Sequence, residues 1–196
     1  MPRQVDHDER RRAVAEIATD LIARGGLDAL TVREVARAAN YSTAIVSHYF
    51  TAKRDLLSYI YRAAVDRAAA RINRVLAADP CDLHGVIDAI LPINAVQIRD
   101  WQVWFAFWGM AVADPEFGDE QRRMVLNAQR IFREIFIARQ RARLLERDAD
   151  CELLARLCVT LLDGIAIQAV FDPDDWPPHR QRAVITAALG GMAELR

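Results

Sequence analysis

Apolar residues recur every three to four positions along almost the whole chain, which is the spacing that places them on one face of an α-helix. No segment shows the strict alternation of apolar and polar residues that is typical of half-buried β-strands. With Gly25-Gly26 as a stop signal, the pattern predicts a first helix that begins at Asp6 or Asp8 and ends near Arg24. Further helices are predicted over 53–78, 82–98, 100–113, 115–143, 150–171 and 178–195, with Pro92 kinking or breaking the second of these. We therefore predict an all-α fold.

The segment 31–57 contains two short helices joined by a tight turn. Thr31 and Glu34 have the spacing of a capping box, which predicts the start of the first helix. The turn is predicted at 39–41, because the Asn at its centre tolerates the left-handed conformation. Ser42 is an N-cap residue for a second helix over Thr43–Tyr49. Two helices joined in this way are typical of a helix-turn-helix, whose second helix fits the major groove of DNA.

The second short helix is expected to have one buried and one exposed side. Ile45 and Val46 are predicted to be buried, whereas the exposed side carries hydroxyl, imidazole and phenol groups suited to phosphates and thymine methyls. The helix contains no Arg, so Arg33 and Arg37 of the preceding helix are expected to reach the DNA backbone or base edges. Lys53 begins the next helix, where its ammonium and the helix N-terminus can bind one phosphate together.

These residues resemble the tetracycline-repressor (TetR) family of bacterial regulators. The shared motif is Thr31-Val32-Arg33-Glu34-Val35-Ala36, Tyr49-Phe50, Lys53 and Leu56-Leu57. The stretch 42–50 is most similar to the choline-responsive, BetI-like branch, although Asn40 and Ala44 stand where glycine is common in the family. The resemblance covers about the first 57 residues and implies operator DNA as partner. The predicted DNA-contacting residues are Thr31, Arg33, Arg37, Ser42, Thr43, Ala44, Ser47, His48, Tyr49 and Lys53.

Composition narrows the classes of protein that remain. The formal net charge is −1, so the overall charge does not by itself indicate nucleic-acid binding, but the only lysine among 26 basic residues is Lys53. Three cysteines without a CxxC pair and four scattered histidines indicate neither a disulfide framework nor a metal site. No signal peptide and no apolar run of about 20 residues is visible, which predicts a cytoplasmic protein without a membrane partner. We expect no catalytic constellation and no cofactor.

A stripe of aromatic residues on the helix predicted over 100–113 is the candidate ligand site. Its members follow helical spacing, and a similar pair lies on the next helix. Indole faces with a nearby carboxylate form a cage for a quaternary ammonium, and Asp163 lies in an otherwise apolar segment. Alternatively, the aromatic residues fill a core, and Asp163 binds a local backbone group or an Arg across a dimer. The predicted ligand-binding residues are Trp101, Trp104, Phe105, Trp108, Phe132, Phe136 and Asp163, for a small apolar or cationic ligand.

The two last predicted helices indicate a dimer. The helix over 150–171 is apolar nearly all round, so more than one of its sides must be covered. The family resemblance implies a four-helix bundle between two subunits, although packing within one subunit is an alternative. We predict a DNA-binding domain over 1–52 and a ligand-binding and dimerisation domain over 53–196. The predicted function is a repressor that a ligand releases from a palindromic operator; the alternatives are a helical enzyme or carrier, or an activator.

Overall fold

The computed structural model describes the backbone of residues 2–193 and the side chains of residues 9–190. Within that range the chain forms helices and a short 3₁₀ turn, Leu27–Ala29, and contains no strand, which confirms the all-α fold. The helices are α1 (Pro2–Gly25), α2 (Val32–Ala39), α3 (Thr43–Tyr49), α4 (Lys53–Ala78), α5 (Leu83–Ile90), α6 (Ala95–Ala111), α7 (Pro115–Arg141), α8 (Cys151–Phe171) and α9 (Pro178–Ala193).

Two helix starts differ from the predicted ones. α1 begins at Pro2 rather than at Asp6 or Asp8, since proline fits the first turn of a helix. α6 begins at Ala95 rather than near 100, because the Asn94 side chain accepts hydrogen bonds from the amides of the two residues after Ala95, each at 3.1 Å.

Some helix ends also differ between the prediction and the structure. The helix predicted over 82–98 ends at Ile90, two residues before Pro92, so the predicted break is present. α7 ends at Arg141 instead of 143, because Arg143 adopts φ 62°. The predicted end of the last helix at 195 lies outside the described residues.

The first of two apolar cores holds α1, α2 and α3 together. Its residues include Val14, Val35 and Val46, and Leu56 and Leu57 of α4 complete it. The same cluster continues into α6 and α7 through Val103, Phe107 and Phe117. The N-terminal helices are therefore packed on the body and not tethered to it by a linker, while the predicted domain boundary at 52/53 stays a prediction.

The second core fills the body between α4, α5, α7, α8 and α9. α8 supplies its centre, with Cys158, Leu162 and Ile165 buried. By length and composition α8 is also able to cross a membrane, with a mean hydropathy of 1.8. Central helices of water-soluble domains meet the same criterion, and the buried side of α8 packs on its neighbours here.

Candidate functional site

α3 presents a short polar surface to solvent. The Ser42 hydroxyl accepts a hydrogen bond from the Ile45 amide at 3.3 Å and so fixes the start of the helix. Val46 is fully buried and anchors α3, while Tyr49 is half-buried on the same core. The remaining predicted contact residues of this helix are exposed, namely Thr43, Ala44, Ser47 and His48.

The prediction that Ile45 is buried was wrong. Its side chain is 40% exposed, because Val46 alone of the two points into the core of the N-terminal helices. An exposed branched aliphatic residue on this helix is suited to contact a thymine methyl group. Ile45 thus joins the candidate DNA-facing residues, a role hidden in the sequence by its apolar character.

α2 carries only half of the predicted capping box. The Glu34 amide donates to the Thr31 hydroxyl at 3.1 Å, but the Glu34 carboxylate binds Arg37, at 2.6 Å to Nη2. The Thr31 amide donates instead to the carbonyl of Ala29. Because the Arg37 side chain is 73% exposed, its ion pair is a weak surface pair that can give way to a phosphate. Arg33 is exposed on the same helix.

The N-terminus of α4 is fixed on both sides of Lys53. The Asp55 carboxylate accepts from the Ala52 amide at 3.2 Å and from the Thr51 hydroxyl. Arg54 binds the carboxylates of Asp114 and Glu116 at the corner between α6 and α7, the latter at 2.5 Å. The end of α4 that carries Lys53 is therefore tied to the body.

A cavity of about 150 Å³ lies between α4, α6, α7 and α8. A cavity of this size is large enough for a molecule such as benzene. Of the predicted ligand residues, five line it: Trp101, Trp104, Trp108, Phe132 and Asp163. Tyr61 of α4 and Gln121 of α7 also line it and were missed, because no spacing in the sequence connects them with the aromatic stripe.

Two predicted ligand residues lie outside the lining of this cavity. Phe105 turns to the other side of the α6 stripe and stacks on Phe171 with 6.3 Å between ring centroids. Phe136 is buried in the second core, one helical turn beyond Phe132. The predicted stripe is therefore divided between a cavity wall and ordinary packing.

Two polar groups of the cavity have no partner within the described residues. The Asp163 carboxylate makes no hydrogen bond or ion pair there, and burial raises its pKa from 3.8 to about 6. The indole N–H of Trp104 is buried without an acceptor. Among the described side chains, neither a local backbone group nor an Arg satisfies Asp163, so a cation in the cavity would meet an uncompensated carboxylate.

α6 connects the cavity to α4 through Asp100. This carboxylate is 1% exposed and accepts hydrogen bonds from Arg67, at 2.9 and 2.7 Å, and from Arg71, at 3.1 Å twice. Arg67 also approaches Glu16 of α1 at 3.5 Å. Asp100 thus joins α6 to α4, and Arg67 extends the network to α1.

The residues on either side of Asp100 extend this connection. Arg99 binds Asp20 of α1 at 2.6 Å. Trp101 lines the cavity, and its indole N–H donates to the Ile90 carbonyl at 2.8 Å. One turn of α6 therefore contacts the cavity, α4 and α1.

A helix-turn-helix joined to a helical body with an internal cavity defines a one-component transcriptional regulator. The family model of bacterial regulatory proteins of the tetR family matches residues 16–60. The model of the BetI-type transcriptional repressor C-terminal domain matches residues 82–194, more than half of the chain. The chain belongs to the TetR family of DNA-binding transcriptional regulators, with a BetI-type C-terminal domain, and its relatives are regulators rather than enzymes.

Named relatives cover nearly the whole chain. It is 28% identical over 176 residues to the HTH-type transcriptional regulator PksA of Bacillus subtilis (strain 168), covering 88% of this chain and 84% of that protein. It is also 28% identical over 194 residues to the regulator BetI of Vibrio campbellii, covering 96% and 94% of the two chains.

Solved structures share the fold. A transcriptional regulator from Rhodococcus sp. Rha1 superimposes with a TM-score of 0.82 at 25% identity, over 94% of this chain and 96% of that chain. A regulator from Saccharomonospora viridis in complex with choline superimposes with a TM-score of 0.76 at 23% identity, over 92% and 95%.

Proposed function

We propose that this regulator is a homodimeric repressor that leaves a palindromic operator when a small cation enters the cavity between α4, α6, α7 and α8. The observation that carries the proposal is Asp163, a carboxylate that has no partner among the described residues and lines the same cavity as three indole rings. Indole faces attract a quaternary ammonium, and the carboxylate supplies the opposite charge. The choline in the Saccharomonospora viridis regulator supports a ligand of this class.

The DNA-bound state places α3 of each subunit in the major groove. Two such helices must be separated by about 34–36 Å, one helical turn of DNA, and related by two-fold symmetry. Arg33 and Arg37 on α2 and Lys53 on α4 flank α3 and are expected to bind phosphates. These contacts set affinity and register, whereas side chains of α3 read the bases.

The dimer is formed through α8 and α9. Three apolar side chains on α8 are exposed, Leu153 by 52%, Ile167 by 41% and Phe171 by 78%, and Val184 of α9 is exposed by 37%. They lie on the sides of α8 and α9 that the second core leaves uncovered. Pairing the two helices with those of a second subunit buries this apolar surface, which is the main source of free energy for association.

The ligand acts through α6. A cation seated between Trp101 and Asp163 changes the position of the turn that contains Asp100, and the arginines bound to Asp100 transfer the shift to α4. The spacing between the two α3 helices then no longer fits two successive grooves. Operator binding must weaken ligand binding by the same factor by which the ligand weakens operator binding.

The test measures the binding of operator DNA and of choline to the same protein. Duplexes selected from a random pool supply the operator, and fluorescence anisotropy gives its affinity with and without choline; indole fluorescence reports ligand binding. Asp163→Asn should keep operator binding and lose the response to choline. Lys53→Ala should weaken binding to every duplex alike, lower the salt slope by about 1 and keep the indole response. Unchanged operator affinity at saturating choline and other quaternary ammonium ions would overturn the proposal.

A further inference from the structure

An open cleft adjoins the ligand cavity on the outer side of α6 and α7. Its volume is about 520 Å³, and its walls come from the end of α6, the first half of α7 and Arg156 of α8. Trp108, Gln121 and Val125 line both the cleft and the cavity. The two spaces are therefore neighbours that share these three wall residues; we call the second one the outer cleft.

Trp108 is the largest group between the two spaces. It is half-buried, and its ring forms T-shaped contacts with the rings of Trp101 and Phe105, with 5.9 Å and 5.4 Å between the ring centroids. Gln121 beside it accepts a hydrogen bond from the Tyr61 hydroxyl at 2.8 Å. Both side chains belong to the wall between the two spaces, so we expect the opening between them to depend on the rotamers of Trp108 and Gln121.

The outer cleft exposes apolar surface that the proposed function leaves unused. Val112 is 90% exposed and Leu126 is 51% exposed, and both line this cleft. Val112 directly follows α6 and Leu126 lies on α7, whereas the proposed dimer uses α8 and α9 and the DNA surface uses α2, α3 and the start of α4. An apolar group that enters from the cavity past Trp108 would cover them.

We propose that the effector is a quaternary ammonium that carries an alkyl chain, with its charged head at Asp163 and its chain in the outer cleft. This inference rests on the proposed function and narrows its ligand class. A head group alone fills the inner cavity and leaves the apolar walls of the cleft in water. A chain of several methylenes attached to the same nitrogen passes Trp108 and removes Val112 and Leu126 from solvent.

The experiment uses alkyltrimethylammonium ions with chains from methyl to octyl, titrated against indole fluorescence of the full-length dimer. Each methylene that enters the outer cleft should tighten binding by about fourfold, until the cleft is filled. The operator-release concentration should fall in the same order along the series. Constant or decreasing affinity with chain length would overturn the inference.

Variants locate the chain. In Val112→Asp and Leu126→Asp the factor by which each added methylene tightens binding should fall towards one. The affinities of wild type and variant should therefore differ more for the octyl ammonium ion than for the methyl one. Val96→Asp is the matched control, because Val96 is 44% exposed at the other end of α6 and lines neither space, and its gain in affinity per methylene should stay near fourfold. An unchanged gain in both cleft variants would show that the chain lies elsewhere.

Two outcomes separate this inference from the proposed function. If tetramethylammonium binds and releases operator but longer chains bring no gain, the inference fails and the proposed function stands. If no ammonium ion binds or releases operator, both fail. Dissociation of the Val112→Asp dimer in size-exclusion chromatography would assign the outer cleft to the second subunit and overturn the inference.

Discussion

At the scale of single residues, Asp163 has opposite effects on stability and on ligand binding. A carboxylate that is removed from water without a partner lowers the stability of the folded chain, because its ionised form loses hydration. The same missing partner leaves its full charge available to a cation. Such conflicts between stability and function are common at binding sites. Here both sides can be measured, as the free energy of unfolding and as the affinity for the ligand.

Asp163→Asn should raise the free energy of unfolding at neutral pH. The folded pKa is about 6 against 3.8 in the unfolded chain, so the stabilising effect of protonation is complete below pH 3.8 and is lost as the pH rises through about 6. At pH 7.5 the ionised group costs on the order of 3 kcal/mol, which the neutral amide avoids. Urea unfolding at pH 7.5 and pH 4 checks this; a less stable variant at pH 7.5 would indicate an arginine partner across the dimer.

Ligand affinity should depend on pH through the same residue. A quaternary ammonium has no titratable proton, so the affinity follows the ionised fraction of Asp163. With a pKa of about 6 in the empty cavity, choline binding should be constant above pH 7 and weaken by up to about tenfold per unit below pH 6. Calorimetric titration between pH 5 and 8 measures the profile. The Asp163→Asn variant should bind weakly and without pH dependence; a sloping profile in that variant would assign the titration to another group.

Arg143 holds a backbone conformation that favours glycine. Its φ of 62° ends α7, and the amide of Leu144 donates to the carbonyl of Arg139 at 2.8 Å, which closes the helix end. Arg143→Gly should raise the free energy of unfolding by about 1 kcal/mol, because a side chain in the left-handed region costs that much. Ala142→Gly is the control: Ala142 has φ −77°, so glycine should destabilise there. Equal effects of the two changes in urea unfolding would contradict this explanation.

At the scale of helices, local signals in the sequence were sufficient to predict the type and order of the elements, whereas the main misses depend on contacts between distant parts of the chain. The Pro92 break was predictable because proline acts on its own neighbours, whereas the start of α6 depended on how Asn94 competes with Asp100 as a cap. Asp100 instead became the buried partner of two arginines that lie 29 and 33 positions away. The same contrast holds for the cavity. Helical spacing in the sequence predicted the indoles that line it, whereas Tyr61 lines it because of how α4 packs against α6 and α7, which the spacing does not show.

The contact between α6 and α4 should set the strength of coupling between ligand and operator. Asp100→Asn removes the charge that holds Arg67 and Arg71, so the factor by which choline weakens operator binding should fall towards one, with some loss of stability. Arg62→Gln is the control, because Arg62 lies on α4 like Arg67 and Arg71 but pairs with Glu120 of α7, so this variant should keep the factor. Operator affinities with and without saturating choline give both values; full coupling in Asp100→Asn would exclude this route.

At the scale of the whole molecule, the exposed apolar side of α8 and α9 is the largest feature that a single chain leaves unexplained. Gly164 lies on α8, and a Cβ built there meets no atom within 4 Å. Gly109 has the same open surroundings and lies on α6, a helix that the proposed dimer does not use. The two glycines therefore form a matched pair that distinguishes an intermolecular interface from ordinary surface.

Gly164→Arg should convert the dimer to a monomer without harming the fold, because the new side chain clashes only with a second subunit and replaces a poor helix former. Binding to a palindromic operator then weakens strongly, since two linked heads bind with a high effective concentration and one does not. Gly109→Arg should remain dimeric and keep operator affinity. Sedimentation velocity and anisotropy on whole and half operators measure both. A dimeric Gly164→Arg protein would place the subunit contact on another surface and leave the apolar side of α8 without a partner.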